Sequence, residues 1–461
     1  MRRTIILTLC LLIAAMGMAQ APQGPAPKKK KTTDEAETLF DYTKAVISSD
    51  ARFNFVVICN PEVTTEDTAN CAFNRALREV GRMREIAMII VVGNITRDGT
   101  PEQMYAARNM LKNTGIDYHV LPGNKDLSYR PNGGTDFKRI FEQDKFRTNV
   151  NGVLFLGLNT SLITDTAVSH FLPQDAVWLK NQLKSIGKKT PIIAFTANGL
   201  SADGVDNWKE ITNQLRMYNT QLCINAAEQK YGRVEYDGVC GYQMETLESS
   251  YMVGYVRGED LFINRKELGG SLRIADTVTI ESKMYLEPEK TRKESAESDK
   301  EAWRFNAGYA IYTGAEVAGD CCYFGDDYGM MYCLDMKRGK VKWRYRTVLR
   351  IVTRPVVKDG RVLFGSCDKN LYCLDALTGE FLWKVRTEAP VTRQPEVVDG
   401  KVYMEMNDSM QYVLNLENGE EERPVKSENR LPYDNKGRRT ELAEGYIETT
   451  IDGIVRRYKK N

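Results

Sequence analysis

The run Leu371-Tyr372-Cys373-Leu374-Asp375-Ala376-Leu377-Thr378-Gly379-Glu380-Phe381-Leu382-Trp383 reads as a short apolar strand, a Thr-Gly-Glu turn and a second strand carrying a tryptophan. Its landmarks recur at intervals of forty residues: Trp303, Trp343 and Trp383; Tyr332, Tyr372 and Tyr412; Leu334, Leu374 and Leu414; Gly339, Gly379 and Gly419. Gly325 and Gly365, Pro355 and Pro395, and the turns Asp359-Gly360 and Asp399-Gly400 keep the same interval. Four short strands in a period of about 40 residues are the mark of a β-propeller blade. One tryptophan per unit at a fixed place predicts packing between blades rather than ligand stacking.

From Trp303 to Asn461 there is room for about three to four blades, and the third loses its tryptophan to Arg423 and its glycine to Glu405. A closed propeller takes about four to eight blades, so the expectation is a partial array whose edges must be managed. Docking on the preceding region, pairing with another chain and a truncated gene all remain open. The run 371–383 resembles PQQ-like propeller repeats, as in the outer-membrane assembly lipoprotein family, and the likeness covers roughly 303–420. It implies a protein-binding array. Quinoprotein dehydrogenases share such blades, but they use a complete propeller and a calcium site, so a bound PQQ is not expected. Cys333 and Cys373 occupy a place where such repeats usually carry a small residue.

The rest of the chain sets the context. Arg2-Arg3 followed by the apolar stretch Ile5 to Met18 reads as an export signal, with Gly17 and Ala19 at cleavage spacing. Residues 1–19 are read as a signal peptide and 20–50 as a tether around Ala21 to Lys31. The expected location is the periplasm or the exterior, with a Gram-negative bacterium suspected as the source. No later run is apolar enough to predict a membrane span. Lysine plus arginine number 64 against 62 acids, so nothing in the charge points to nucleic acid. Nine cysteines follow the signal, without a regular spacing or a C-x-x-C pair; most are read as buried small hydrophobes.

Between 51 and 285 the pattern is α/β. Phe53 to Cys59 and Met88 to Val92 read as buried strands, with a helix from Thr65 to Ala87 between them. Thr100-Pro101-Glu102-Gln103 reads as a capped helix start, and that helix stops at Gly115 before Tyr118-His119-Val120-Leu121. Val153 to Leu158, a helix from Gln174 to Ile186 and Pro191 to Thr196 continue the alternation, which predicts helices on a partly parallel sheet. Val234 to Ile280 reads as shorter β segments, and the charged run 286–302 as a linker before the repeats of 303–461.

The turn Pro122-Gly123-Asn124-Lys125-Asp126 ends the third strand, where open α/β sheets keep their chemistry. The order of such turns resembles the calcineurin-like metallophosphoesterases. That family places Asp-x-His after the first strand, Gly-Asp after the second, Gly-Asn-His-Asp/Glu after the third, a histidine after a later strand and Gly-His-x-His last. The matching stretches are Asn60-Pro61-Glu62, Gly93-Asn94, Gly123 to Asp126, Thr196-Ala197-Asn198-Gly199 and Gly241-Tyr242-Gln243-Met244. The resemblance implies an α/β/β/α sandwich followed by the all-β partial propeller. It also implies a centre stripped of most of its ligands: Asn60, Glu62, Asn94, Lys125, Asn198, Tyr242 and Met244 stand where aspartates and histidines would, and Asn124 alone keeps a family ligand type. Two-metal hydrolysis needs carboxylates and imidazoles holding cations about 4 Å apart. Glu62, Asn124 and Asp126 are the oxygen donors left for one weakly held cation.

The chain has two histidines, His119 and His170, and neither falls on a ligand motif; both are read as structural or surface residues. The reading that follows is an exported pseudo-phosphoesterase acting as a binding or assembly module, without a cofactor. A residual metal-dependent phosphoester hydrolase is the alternative, and a quinoprotein dehydrogenase a third. Lys125 is expected either to pair with Glu62 or Asp126 at the old centre or to face solvent. The expected partner is a protein, or a second copy joined through propeller edges.

Overall fold

Among the described residues the alternation of apolar runs and turn residues becomes two six-stranded sheets and four four-stranded sheets. The computed structural model describes residues 52–281, 300–426 and 438–460, apart from 67, 128–133, 164–167, 228–230, 249 and 406–409. The expected signal peptide, the tether and most of the charged linker lie outside the described residues. The described residues belong to one compact unit.

The first six-stranded sheet is built on β1 (Arg52–Cys59), β2 (Ile86–Gly93) and β3 (Tyr118–Pro122), which run parallel. The second begins with β4 (Phe146–Val150), β5 (Val153–Leu158), β6 (Ile192–Thr196) and β7 (Thr220–Ala226). It is completed by the hairpin of β8 (Gly232–Tyr236) and β9 (Val239–Met244); β5, β6, β7 and β9 are parallel, and β4 and β8 are antiparallel edges. The antiparallel strands β10 (Ser250–Arg257), β11 (Asp260–Glu267) and β12 (Leu272–Thr279) then return to the first sheet, giving the order β12-β11-β10-β1-β2-β3.

Among the described residues six helices connect these strands: α1 (Ala72–Val80), α2 (Pro101–Lys112), the single turn α3 (Asn124–Leu127), α4 (Asp136–Phe141), α5 (Pro173–Lys184) and α6 (Lys209–Leu215). The period of two along each strand separates two sets of side chains. Phe55 of β1 meets Phe155 of β5 edge-on at 5.1 Å, and Phe155 stacks on Phe195 of β6, inside one core cluster shared by both sheets. Val56, Ile89 and Val91 instead share a cluster with α1, α2 and α4, while Leu154, Leu156 and Ala194 share one with α5 and α6.

The helix expected over 65–87 is shorter. It starts at Ala72, where Cys71 Sγ accepts from Asn74 N, and Gly81 closes it by donating to Leu77 O at 2.9 Å. Glu85 then takes a left-handed φ of 59°, and Ile86 is already paired with Asn54 in the sheet. At α2, Thr100 Oγ1 accepts from Gln103 N and Pro101 occupies the first turn, as the capping pattern predicts. The Gln103 side chain does not complete a capping box. It turns to Asp98, accepting from its backbone N at 2.9 Å and donating to its carboxylate at 2.7 Å.

The repeats form three consecutive four-stranded sheets. The first has β14 (Glu316–Ala318), β15 (Cys321–Gly325), β16 (Met330–Asp335) and β17 (Val341–Arg346). The second has β18 (Val356–Lys358), β19 (Arg361–Ser366), β20 (Asn370–Asp375) and β21 (Phe381–Arg386), and the third β22 (Glu396–Val398), β23 (Lys401–Glu405), β24 (Met410–Asn415) and β25 (Glu421–Lys426). The last sheet joins β26 (Arg439–Leu442), β27 (Gly445–Thr449) and β28 (Ile454–Lys459) to β13 (Lys300–Asn306), so the two ends of the repeat region are hydrogen-bonded together.

The periodic tryptophans pack between sheets. Trp303, Trp343 and Trp383 each donate from Nε1 to a carbonyl of the next sheet, at Met336, Ala376 and Leu416. Gly339, Gly379 and Gly419 lie on those same indoles with φ of 64°, 75° and 72°; a Cβ on any of them would come within 2.7 Å of the ring. The repeated tryptophan and the repeated glycine are therefore two halves of one contact. Asp359-Gly360 and Asp399-Gly400 have positive φ at both residues, as the two-residue hairpin turn demands.

Candidate functional site

The C-terminal ends of β1, β2, β3 and β6 carry four of the five stretches singled out in the sequence, and the fifth, Gly241 to Met244, lies within β9. Asn60 and Glu62 follow β1 with φ of 44° each, a backbone region uncommon outside glycine. The conformation is held by Asn60 N donating to Val92 O and Glu62 N donating to Asn94 O. Asn60 Oδ1 accepts from Asn94 N at 2.8 Å, and Asn94 Oδ1 accepts from Lys125 N at 3.2 Å. The three turns are thus stitched by amides in series.

Gly123 is not in the left-handed region. A side chain is excluded there by space, since a Cβ would lie 2.2 Å from Asn94 Oδ1 and 2.5 Å from Asn94 N. Lys125 Nζ sits 2.7 Å from Glu62 Oε1, and the pair is half-exposed. Asp126, in contrast, is buried. Its carboxylate accepts from Ile95 N, Thr96 N, Thr96 Oγ1 and Gly123 N at 2.8, 2.9, 2.6 and 3.0 Å. Burial pushes its pKa up to about 6, and the four donors oppose that shift.

The remaining positions do not converge on a common point. Asn124 Oδ1 accepts from Leu162 N and Ser169 Oγ, and Asn198 Oδ1 accepts from Thr160 Oγ1. Tyr242 and Met244 are buried in the core cluster between the two sheets, with Tyr242 edge-on to Tyr231. The three oxygen donors considered for a cation, Glu62, Asn124 and Asp126, each answer a different set of protein donors. Among the described residues no group of three or more His, Cys, Asp or Glu side chains is placed to hold a metal ion. A lysine ammonium occupies the carboxylate of Glu62, and the amide oxygens of Asn60 and Asn94 are already taken by backbone N–H groups.

The histidines have structural surroundings. His119 Nδ1 lies 3.1 Å from Gln143 Oε1 and its ring stacks on Phe146; burial lowers its pKa. His170 joins the sheets to the repeats. Its Nδ1 faces Asp206 at 2.5 Å and its Nε2 faces Asp452 at 2.9 Å, with Asn207 at 3.2 Å. Burial alone would lower its pKa, and the two carboxylates more than reverse that, so it is raised.

A cleft of about 620 Å³, which the sequence did not announce, opens between these strand ends and the repeats. Asn159, Ser161, Asp175, Tyr312, Asp327 and Arg350 line it. Ser161 Oγ donates to Pro122 O, tying the cleft to the third turn. Buried Asp175 pairs with Lys145; burial pushes its pKa up to about 6 against that lysine. Arg350 pairs with Asp327, which also accepts from Gln174 at 3.0 Å. No local pattern marks the cleft, because Asp327 takes its partner Gln174 from some 150 residues earlier.

With this geometry in view, the known proteins can be set beside it. Residues 292–431 match the family of the outer membrane protein assembly factor BamB. A 3′,5′-cyclic-nucleotide phosphodiesterase of Nostoc sp. is 25% identical over 134 residues, 29% of this chain and 49% of that protein. The chain therefore spans about half the length of the curated relative it matches. Among solved structures, BamB from Moraxella catarrhalis is 14% identical, covering 46% of this chain and 82% of that one with a TM-score of 0.20. GAP50, the anchor in the inner membrane complex of Plasmodium, is 11% identical over 51% of this chain and 90% of its own, with a TM-score of 0.36. A europium-containing methanol dehydrogenase is 23% identical over 28% of this chain and 27% of that one, with a TM-score of 0.26. The C-terminal part is thus a BamB-like repeat domain of the β-propeller type. No helix among the described residues is long and apolar enough to cross a membrane.

Proposed function

We propose that this protein is an exported binding and assembly module built on a degenerate metallophosphoesterase frame, an α/β/β/α sandwich that keeps the fold's strand-end turns and has given up its metals. The observation that carries the reading is the contact of Lys125 Nζ with Glu62 Oε1 at 2.7 Å. Two residues at family histidine positions have become one internal ion pair. A cation in that place repels the divalent ions on which such hydrolysis depends. The repeat domain supplies the interaction surface, and the cleft beside Ser161 joins the two regions. The partner is a protein in the periplasm or outside the cell.

The Nostoc likeness favours a second reading, phosphoester hydrolysis. Purified protein incubated with bis(p-nitrophenyl) phosphate and Mn²⁺ separates the two. The module reading expects no release above the protein-free control; turnover that a chelator abolishes overturns it in favour of hydrolysis.

A further inference from the structure

The first four-stranded repeat sheet carries a row of side chains that its neighbour lacks. Residue 342 is the extra residue of a bulge in β17, where Cys333 pairs with Trp343 and Leu334 already pairs with Val341. The Lys342 ammonium reaches across β16 to Cys321 Sγ of β15, 3.1 Å away. Cys333 lies between them on β16. It is opposite Tyr323, two pairs along from Cys321 opposite Asp335, so both thiols stand on the same face and in the same core cluster.

The second sheet has the same bulge in β21, with Cys373 opposite Trp383 and Leu374 opposite Phe381. There Leu382 stands in place of Lys342, Arg361 in place of Cys321 and Leu363 in place of Tyr323. The repeat folds without the trio, so packing alone does not call for it.

We propose that Cys321 and Cys333 form an oxidation site for hydroperoxides, with Cys321 as the attacked thiol, Cys333 as the thiol that resolves it and Lys342 as the positioning cation. An ammonium has only donors, so the Cys321 sulfur is the acceptor of that contact. The thiolate is the nucleophile in such oxidation, and the cation offsets the negative charge it carries as it attacks. The Cys321 sulfur takes the terminal peroxide oxygen and the O–O bond breaks. The alcohol, or water from H₂O₂, leaves with the thiol proton, and Cys321 becomes a sulfenic acid. The Cys333 sulfur then displaces that oxygen as water, which carries away the second thiol proton, and an S–S bond forms. Two electrons pass from the two thiols to one hydroperoxide. Burial pushes the Cys333 thiol up to about 12, so in the resting chain it is protonated and Cys321, beside the Lys342 ammonium, is the thiol placed to react first.

The test uses the full chain, H₂O₂ as oxidant and mass spectrometry of peptides after blocking free thiols. The expected result is a Cys321–Cys333 linked peptide that forms ahead of oxidation at the less buried Cys71 and Cys240. Cys333→Ser should stop the reaction at a Cys321 sulfenic acid that dimedone captures. Lys342→Leu, which installs the residue of the second sheet, should slow the loss of the Cys321 thiol roughly tenfold. Failure of the linked peptide to form in the wild-type chain overturns the proposal. So does an unchanged rate in a Lys342→Leu protein whose circular dichroism matches the wild type.

Discussion

The repeats and the strand-end turns use their recurring residues in different ways. In the repeats, the recurring geometry is a packing pair, indole on glycine, and three tryptophans meet three glycines. At the turns, Gly123 comes close to Asn94, and the polar side chains are partners for one another or for backbone amides. Packing contacts are destroyed by almost any change, whereas ligand positions lose only the ligand. The comparison predicts that perturbing the repeats costs the most. Trp343→Ala removes a buried indole and the hydrogen bond to Ala376, and should lower stability by about 3–5 kcal/mol. Equilibrium denaturation in urea checks this; a loss below about 1 kcal/mol would mean that the indole is peripheral to the fold.

Within the turns, one side chain should behave like a packing residue. Asp126→Ala leaves three backbone N–H groups and the Thr96 hydroxyl without their acceptor, and is expected to cost about 2–3 kcal/mol. Asp126 would then serve the fold rather than a ligand. A neutral Asp126→Ala in the same denaturation experiment would remove that distinction between frame and ligand.

Between the two regions, His170 sets a pH dependence. Its pKa is raised in the folded chain above the ordinary value near 6.5, so the folded state holds the proton where the unfolded chain releases it. The stabilisation is complete below about pH 6.5 and is lost as pH rises through the folded value. Asp175 and Asp126, with pKa values of about 6, also favour the fold when protonated, but their window runs from about pH 4 to 6. His170→Gln should therefore flatten the stability profile only above that range, by about 1 kcal/mol. Thermal melts of both proteins across pH 5 to pH 9 would show it; parallel profiles would remove His170 as the titrating link.

The legible parts of this chain were those with local signals. Asp-Gly turns, the forty-residue interval and the cap at Thr100 each depend on neighbours in sequence, and each lies where it was expected. The pairing of β13 with β28 carries no such signal, because it joins residues more than 140 apart. The same holds for His170, whose Asp452 partner is 282 positions away and which looked like an isolated histidine. At the turn, the motif located the site but not the direction of its side chains. Lys125 and Asp126 are adjacent in a single helical turn, where neighbouring residues point about 100° apart. One reaches Glu62 at the surface, and the other turns into the amides of Ile95 and Thr96.

That divergence makes the Lys125–Glu62 pair the smallest effect expected and the sharpest test of what the site has become. Both side chains are partly exposed, at 46% and 32%, so solvent screens most of their attraction. A double-mutant cycle with Lys125→Met and Glu62→Gln should give a coupling of about 0.5 kcal/mol, shrinking as salt is raised. A pair this weak does not hold the fold; its consequence is electrostatic, since it fills a carboxylate that a cation would need. Lys125→Met frees Glu62 but brings no further carboxylate or imidazole beside it, so calorimetric titration with Mn²⁺ should still show no binding at micromolar levels. Tight binding by that single variant would mean that the remaining donors can converge, and that one lysine alone had kept the metal out.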